Sequence, residues 1–387
     1  MSVSDADAAA SLARQIDEAL RRRDVAGALS LIEAAEQVRP ADVSLKMQKA
    51  VTLRVAGDLP GSLAALDAAL ALEPYNFMAL LGKGALIERL AGEPAAAEVY
   101  RNALKIAPAN APPGLQPAIA RAREVVRKTA DALEKHLRSR LAGLGAACSG
   151  PAKARLEETV RVFSGQARVY HHEPLLLHYT QLPEIGFYDR SHFPWLAELE
   201  AETDTIRAEL EGVLETRADF APYIAFPPGA PVNQWGELNH SARWSSYFLW
   251  KDGMRQDGAC AACPKTAGLL ERLPMAEQPG FAPTAMFSAL EAKTHIPPHT
   301  GSTNTRLLCH LPLILPGPAR FRVGNQTRPW RMGAAWVFDD TIEHEAWNDA
   351  DALRVILIFD IWNPNLEPAE RELVCALLAA RNEFLGH

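Results

Sequence analysis

Cysteine is scarce in this chain of 387 residues: there are five, Cys148, Cys260, Cys263, Cys309 and Cys375. An odd, scattered set excludes the disulfide framework of a small secreted domain. Long apolar runs are also missing. No stretch approaches the roughly 18 uninterrupted apolar residues of a membrane span, so none is expected. A basic surplus is lacking, with 40 Lys and Arg against 47 Asp and Glu and a net charge of -7, which argues against a general nucleic-acid binder. The opening MSVSDADAAASLARQ carries acids and no apolar core, so no secretory signal and a cytoplasmic location are expected. No Gly-rich phosphate loop or strand-helix alternation is found, which disfavours a nucleotide-binding sheet.

What is present is an ordinary globular mixture, 48% apolar and 22% charged, long enough for two domains. The first reads as a repeat. ALSLIEAAEQVRPAD, SLAALDAALALEPYN and AAEVYRNALKIAPAN superimpose at a 34-residue offset, which Pro40, Pro74 and Pro108 keep, as do Ala35, Ala69 and Ala103. Gly27 and Gly61 keep it too, with Ala95 in the third copy. Each copy reads as two helices closed by a proline. The period and small residues resemble the tetratricopeptide repeat over about residues 10 to 112, and a repeat domain is expected over residues 1–112. Stacked copies leave a concave surface. A groove for a peptide and a scaffold for the rest of the chain both remain open readings.

A linker helix is expected within 113–150, with Ile119, Val126, Ala130, Leu133 and Leu137 on one stripe. Its seven basic and three acidic residues between Arg121 and Arg140 read as a solvated face or a domain bridge. Gly143, Gly145, Gly150 and Pro151 mark a second boundary. Residues 151–387 then enter through helices at 152–163 and 194–215. RWSSYFLWKDG, PTAMFSALEA, TRLLCHLPLIL, ARFRVG, GAAWVFDD and LRVILIFDIW follow as short strand candidates. They suggest a jelly-roll sandwich or barrel. The whole is an α+β multidomain chain.

Among the histidines, His295 and His299 have helical zinc-ligand spacing, but Pro297 and Pro298 between them exclude that helix. The usual iron triad has a carboxylate two residues after its first histidine, where this chain has Gly301. His344, in FDDTIEHEAW, could pair with His299 on a metal or be a hydrogen-bonded core residue; His310, Asp339 and Asp340 are possible further ligands. Arg306 and Arg354 lie in apolar strands and need an anion, either a bound carboxylate or one of Asp339, Asp340 and Asp360. YHHE at 170–173, with His178, reads as surface or interdomain histidines. Cys260 and Cys263 read as loop thiols or a local disulfide ahead of a metal or redox pair, since no second cysteine pair accompanies them.

HTGSTNTRLLCHLPL, FDDTIEHEAWNDADALRVILIFDIWNP, RWSSYFLWKDG and CPKT, in this order over about residues 185 to 364, resemble the aspartyl/asparaginyl β-hydroxylase family. The resemblance implies a double-stranded β-helix enzyme using Fe(II), 2-oxoglutarate and O₂. It assigns the iron to His299 and His344, with glycine expected at Gly301. It gives Arg354 and Ser288 the distal carboxylate of 2-oxoglutarate and His310 its other end, with Arg306 beside it. The implied reaction is hydroxylation of the β-carbon of Asp or Asn in a peptide or protein that the repeats could deliver. Leu308 departs from the family pattern, in which members acting on aspartyl residues commonly carry an arginine there. The alternatives are the same chemistry on a lipid acyl chain or small molecule, or a non-catalytic peptide-binding adaptor.

Overall fold

The structure, a computed structural model, describes residues 3–217 and 219–386. It forms two compact units that divide between Ala167 and Arg168. The first is helical: α1 (Val3–Arg21), α2 (Val25–Val38), α3 (Val43–Val55), α4 (Leu59–Leu72), α5 (Phe77–Ala91), α6 (Glu93–Lys105), α7 (Gln116–Gly145) and α8 (Gly150–Ser164). From α1 to α8 each helix packs on the next. The boundary expected after residue 150 therefore falls inside this unit. The glycines at 145 and 150 serve a turn between two packed helices, not an interdomain linker.

The caps carry the 34-residue repeat. Asp24 and Asp58 accept the backbone N–H of Gly27 and Gly61, while Asp42 and Asn76 cap α3 and α5 in the same way. Ala28, Ala35, Ala69 and Ala103 are buried where helices meet closely. On α7 the buried stripe is Ile119, Ala122, Val125 and Ala130, and Leu133 is exposed, so the apolar face is rotated from the expected one. Arg121 bridges to Glu88, Glu93 and Glu124, so part of the basic face is internally paired. A largely apolar cavity of about 380 Å³ opens between Met47, Leu66, Met78, Leu81 and Tyr100. No helix among the described residues is long and apolar enough to cross a membrane.

The second unit holds helices α9 (Leu196–Ala201), α10 (Thr203–Leu214), α11 (Asp257–Ala262), α12 (Pro264–Leu270) and α13 (Pro368–Leu385). Its strands are β1 (Ala221–Pro222), β2 (Trp244–Lys251), β3 (Met254–Arg255), β4 (Ala285–Leu290), β5 (Thr294–His299), β6 (Arg306–Ile314), β7 (Ala319–Val323), β8 (Gln326–Pro329), β9 (Trp336–Phe338), β10 (His344–Asn348) and β11 (Arg354–Trp362). One antiparallel sheet runs β1-β2-β4-β11-β6-β9, with β3 on β2; a second runs β5-β10-β7-β8. These two sheets form the expected jelly-roll.

Side chains alternate between the faces of the larger sheet, as the two-residue strand period requires. Phe287, Leu307, Leu357 and Phe359 pack outward on Leu199, Ile206, Leu210 and Leu270 of the helices. Met286, Leu290, Ile356 and Ile358 point inward, to Ile296, Phe321 and Val323 of the smaller sheet. Each such side chain contributes about 1.5–3 kcal/mol on full burial. Cys260 and Cys263 belong to the outer core. They lie on α11 and at the start of α12, free and buried rather than on a loop, and burial pushes both thiols up.

Candidate active site: two histidines and a chamber of unmet donors

His299 ends β5 and His344 begins β10, and the two are direct register partners. The rest of this pairing runs Ile296 to Ala346, His295 to Trp347 and Thr294 to Asn348, so one extra residue lies between Ile296 and His299. That bulge changes the phase of β5. His299 joins Ile296 on the inner face, where three residues of unbroken strand would have turned it out. Pro297 and Pro298 occupy the irregular stretch on an edge strand, where their missing N–H groups cost no ladder bonds.

The ring centroids stand 4.1 Å apart. His299 Nδ1–H donates to the Pro297 carbonyl (2.8 Å) and His344 Nδ1–H to that of Ile342 (3.1 Å), which leaves both Nε2 lone pairs available. Burial lowers His299 to about 4 and His344 well below its ordinary range. Both rings are thus neutral at pH 7, the form that binds a metal. Gly301 lies next to them, and a Cβ there would sit 1.9 Å from Asp340 Oδ2. The Asp340 carboxyl occupies the space a side chain at 301 would need, and burial pushes it up to about 8. Among the described residues no cluster of three His, Cys, Asp or Glu side chains could hold a metal ion.

Deeper between the sheets, Arg354 is 1% exposed and its Nε and Nη1 have no hydrogen-bond partner. Burial without an acid lowers it to about 9. Both ring nitrogens of buried His310 are also unpartnered, as are the indole N–H groups of Trp330 and Trp336. His310 stacks on Trp330 at 5.5 Å, and the Arg354 guanidinium lies 5.4 Å from the same ring. Ser288 pairs with Ile356, two residues along β11 from Arg354, so hydroxyl and guanidinium are diagonal neighbours on the inner face. Trp244 donates its indole N–H to Ser288 Oγ (3.1 Å) and leaves the serine hydrogen free to donate elsewhere. Buried donors without acceptors are costly, and a bound dianion would satisfy several at once. The residues present fit such a group, with the two histidines fit for a metal beside it.

Sequence-based expectations differ from the structure at two places. Arg306 is outside this chamber and takes the internal alternative, an ion pair with Asp360 (3.2 Å) and a bond to the Phe281 carbonyl. It lines a cavity of about 130 Å³ with Gln278, Ser302 and Thr303. His172 of the YHHE run is no surface residue: it is buried, 3.0 Å from Asp339, although the ring N–H points off the line to the oxygen. His171 is the exposed member, paired with Glu184. Leu308 lies on the inner face, opposite Asp360 and Phe338. Trp330 completes the site without any motif that marks it, while Trp244 and Trp336 lay in recognised strand candidates and Asp340 was already a possible ligand.

Fold and site together define a jelly-roll protein with two paired histidines beside a chamber of unmet buried donors. The Aspartyl/Asparaginyl beta-hydroxylase family model matches residues 200–364, and the chain belongs to that family of hydroxylases. It is 37% identical over 200 residues to the ornithine lipid ester-linked acyl 2-hydroxylase of Rhizobium tropici, a match covering 51% of this chain and 67% of that one. It is 40% identical over 142 residues to human aspartyl/asparaginyl beta-hydroxylase, covering 36% of this chain but 18% of the relative. Among solved structures, the Arabidopsis OM64 TPR domain is similar at a TM-score of 0.28 and 18% identity, covering 32% of this chain and 98% of that one.

Proposed function

We propose that the second unit is an iron(II)- and 2-oxoglutarate-dependent dioxygenase that hydroxylates the β-carbon of an Asp or Asn residue in a peptide or protein. The unmet donors of Arg354 and His310 beside two neutral, paired histidines carry this reading. His299 and His344 would hold Fe(II) through Nε2, each ring oriented by its carbonyl partner. Arg354 and Ser288 would bind the distal carboxylate of 2-oxoglutarate, and His310 would donate to its other end. With O₂, this group supplies the oxidising power that turns a substrate C–H into C–OH while 2-oxoglutarate becomes succinate and CO₂. The chain contributes orientation and a dry enclosure. Whether the repeat unit delivers the peptide is a separate arm of the test, read by removing the 380 Å³ groove's apolar lining.

A second reading keeps the chemistry and changes the substrate to an acyl chain. Leu308 favours it, since an apolar side chain on the inner face cannot bind a substrate carboxylate, and Arg306 is already paired with Asp360. The two are separated by supplying Asp- or Asn-containing peptides and acyl lipids in parallel and weighing each product for one added oxygen. Succinate release should need Fe(II) and 2-oxoglutarate and disappear in His344→Ala. Undiminished release from that variant would remove His344 from the chemistry.

A further inference from the structure

The segment between Arg168 and Tyr188 precedes residue 200, where the family match begins, yet it is tied to the loops that adjoin both histidines. Glu173 N–H donates to the Thr341 carbonyl (2.8 Å), just before His344. Leu175 N–H donates to Gly301 O and Leu176 N–H to Ser302 O (both 2.9 Å), just after His299. The segment is a strap tied across both histidine-bearing strand ends, and His172 is the buried side chain in the part of it that makes these bonds.

The polar groups around His172 determine its tautomer. Asn304 Oδ1 accepts Tyr179 N–H (2.8 Å) and its Nδ2 donates to Tyr179 O (2.9 Å), which fixes the amide's orientation. The same Nδ2 faces His172 Nδ1 at 3.2 Å, so that nitrogen accepts and the ring hydrogen sits on Nε2, towards Asp339. Asp339 in turn ties down a turn. Its Oδ1 accepts the Thr341 N–H (2.9 Å) and hydroxyl (2.6 Å). From that turn come the Asp340 carbonyl, which accepts Gly301 N–H (2.7 Å), and the Ile342 carbonyl, which orients His344.

We propose that His172 is a positioning residue of the metal centre, acting through Asp339 on the 339–342 turn that orients His344 and meets Gly301. This role rests on the two-histidine metal reading given above. Groups that orient metal ligands typically change metal affinity by about 10–100-fold when lost. A leucine at 172 fills similar space, loses the bond from Asn304 and takes away the imidazole nitrogen that stands 3.0 Å from buried Asp339 Oδ2. A glutamine can place an N–H near the position of Nε2.

The test uses the full-length protein, metal-free and anaerobic, titrated with Fe(II) alone, with thermal unfolding run alongside. His172→Leu, still folded, should bind Fe(II) about 10–100-fold more weakly; His172→Gln should recover most of that loss, and the exposed neighbour His171→Leu should match wild type. Wild-type affinity in folded His172→Leu, or equal weakness of the Leu and Gln variants, overturns the role. Should His172→Leu fail to fold, Asp339→Asn carries the test: it is expected to bind weakly, and unchanged affinity overturns the proposal. If the wild type itself binds no Fe(II), the metal reading falls and this role with it. Wild-type binding with an undiminished His172→Leu removes only the role.

Discussion

Arg354 is a buried cation with no acid beside it, and an ion in that state destabilises the empty domain. Arg354→Met should therefore raise the stability of the ligand-free protein by about 1–4 kcal/mol in chemical denaturation. The same change should abolish 2-oxoglutarate binding by calorimetry. Loss of stability together with intact binding would place the guanidinium in a structural role. His299 makes a pH prediction. Its folded value of about 4 lies below the ordinary 6.5, so the unfolded chain takes up the proton first as pH falls. The stability linked to this residue is present above 6.5 and is lost as pH falls towards 4. Wild type should lose more stability between pH 7 and pH 5 than His299→Gln does, in metal-free buffer. The residues that a sequence can show here are those whose chemistry is local. His299 and His344 stand out by neighbouring motifs, and Arg354 by its apolar strand. His172 and Asp339 are far apart in the chain, and nothing near either one announces the other. Arg306 was ambiguous for a related reason: only the fold decides which acid an inward arginine meets.

At the scale of the element, the repeat helices show why the glycines keep register. A Cβ at Gly27 or Gly61 would lie 2.2 Å from the carboxylate that caps its own helix. In the third copy Gly92 replaces the capping aspartate and makes no side-chain cap, so Ala95 fits without conflict. Gly61→Ala should cost about 0.5–2 kcal/mol through loss of the Asp58 cap. Ala95→Gly should cost only about 1 kcal/mol or less of helix propensity, and urea unfolding of both variants checks the contrast. The 34-residue period was legible because caps, small residues and prolines all carry it. The β5 bulge was not, since a shift in strand phase is set by pairing with β10. Gly301→Asp tests that junction. The added side chain meets Asp340, so iron affinity should fall instead of gaining a third ligand, and Asp340→Ala in the same chain should restore it. Tighter Fe(II) binding by the single variant would contradict the crowding seen at Gly301.

For the whole molecule, the division between Ala167 and Arg168 assigns the strap to the hydroxylase unit. A fragment starting at residue 168 should fold and bind Fe(II), whereas one starting at 200 should lose the binding, as measured by anaerobic titration. Equal binding by both fragments would show that the family-matched residues suffice. The sequence placed this boundary too early because glycine and proline mark a chain reversal equally well within a domain and between two. Its strand candidates fared better, since period-two alternation is a direct record of two buried faces.

The paired prolines of β5 have an effect beyond His299. An edge strand normally offers a row of unpaired N–H groups on which a neighbouring chain can build another strand. Pro297 and Pro298 carry no N–H to offer such a neighbour in the stretch of edge strand next to the two histidines. The residues of the rephased stretch also make this edge a poor template for self-association, so replacing both with β-branched residues would endanger solubility as well as the placing of His299.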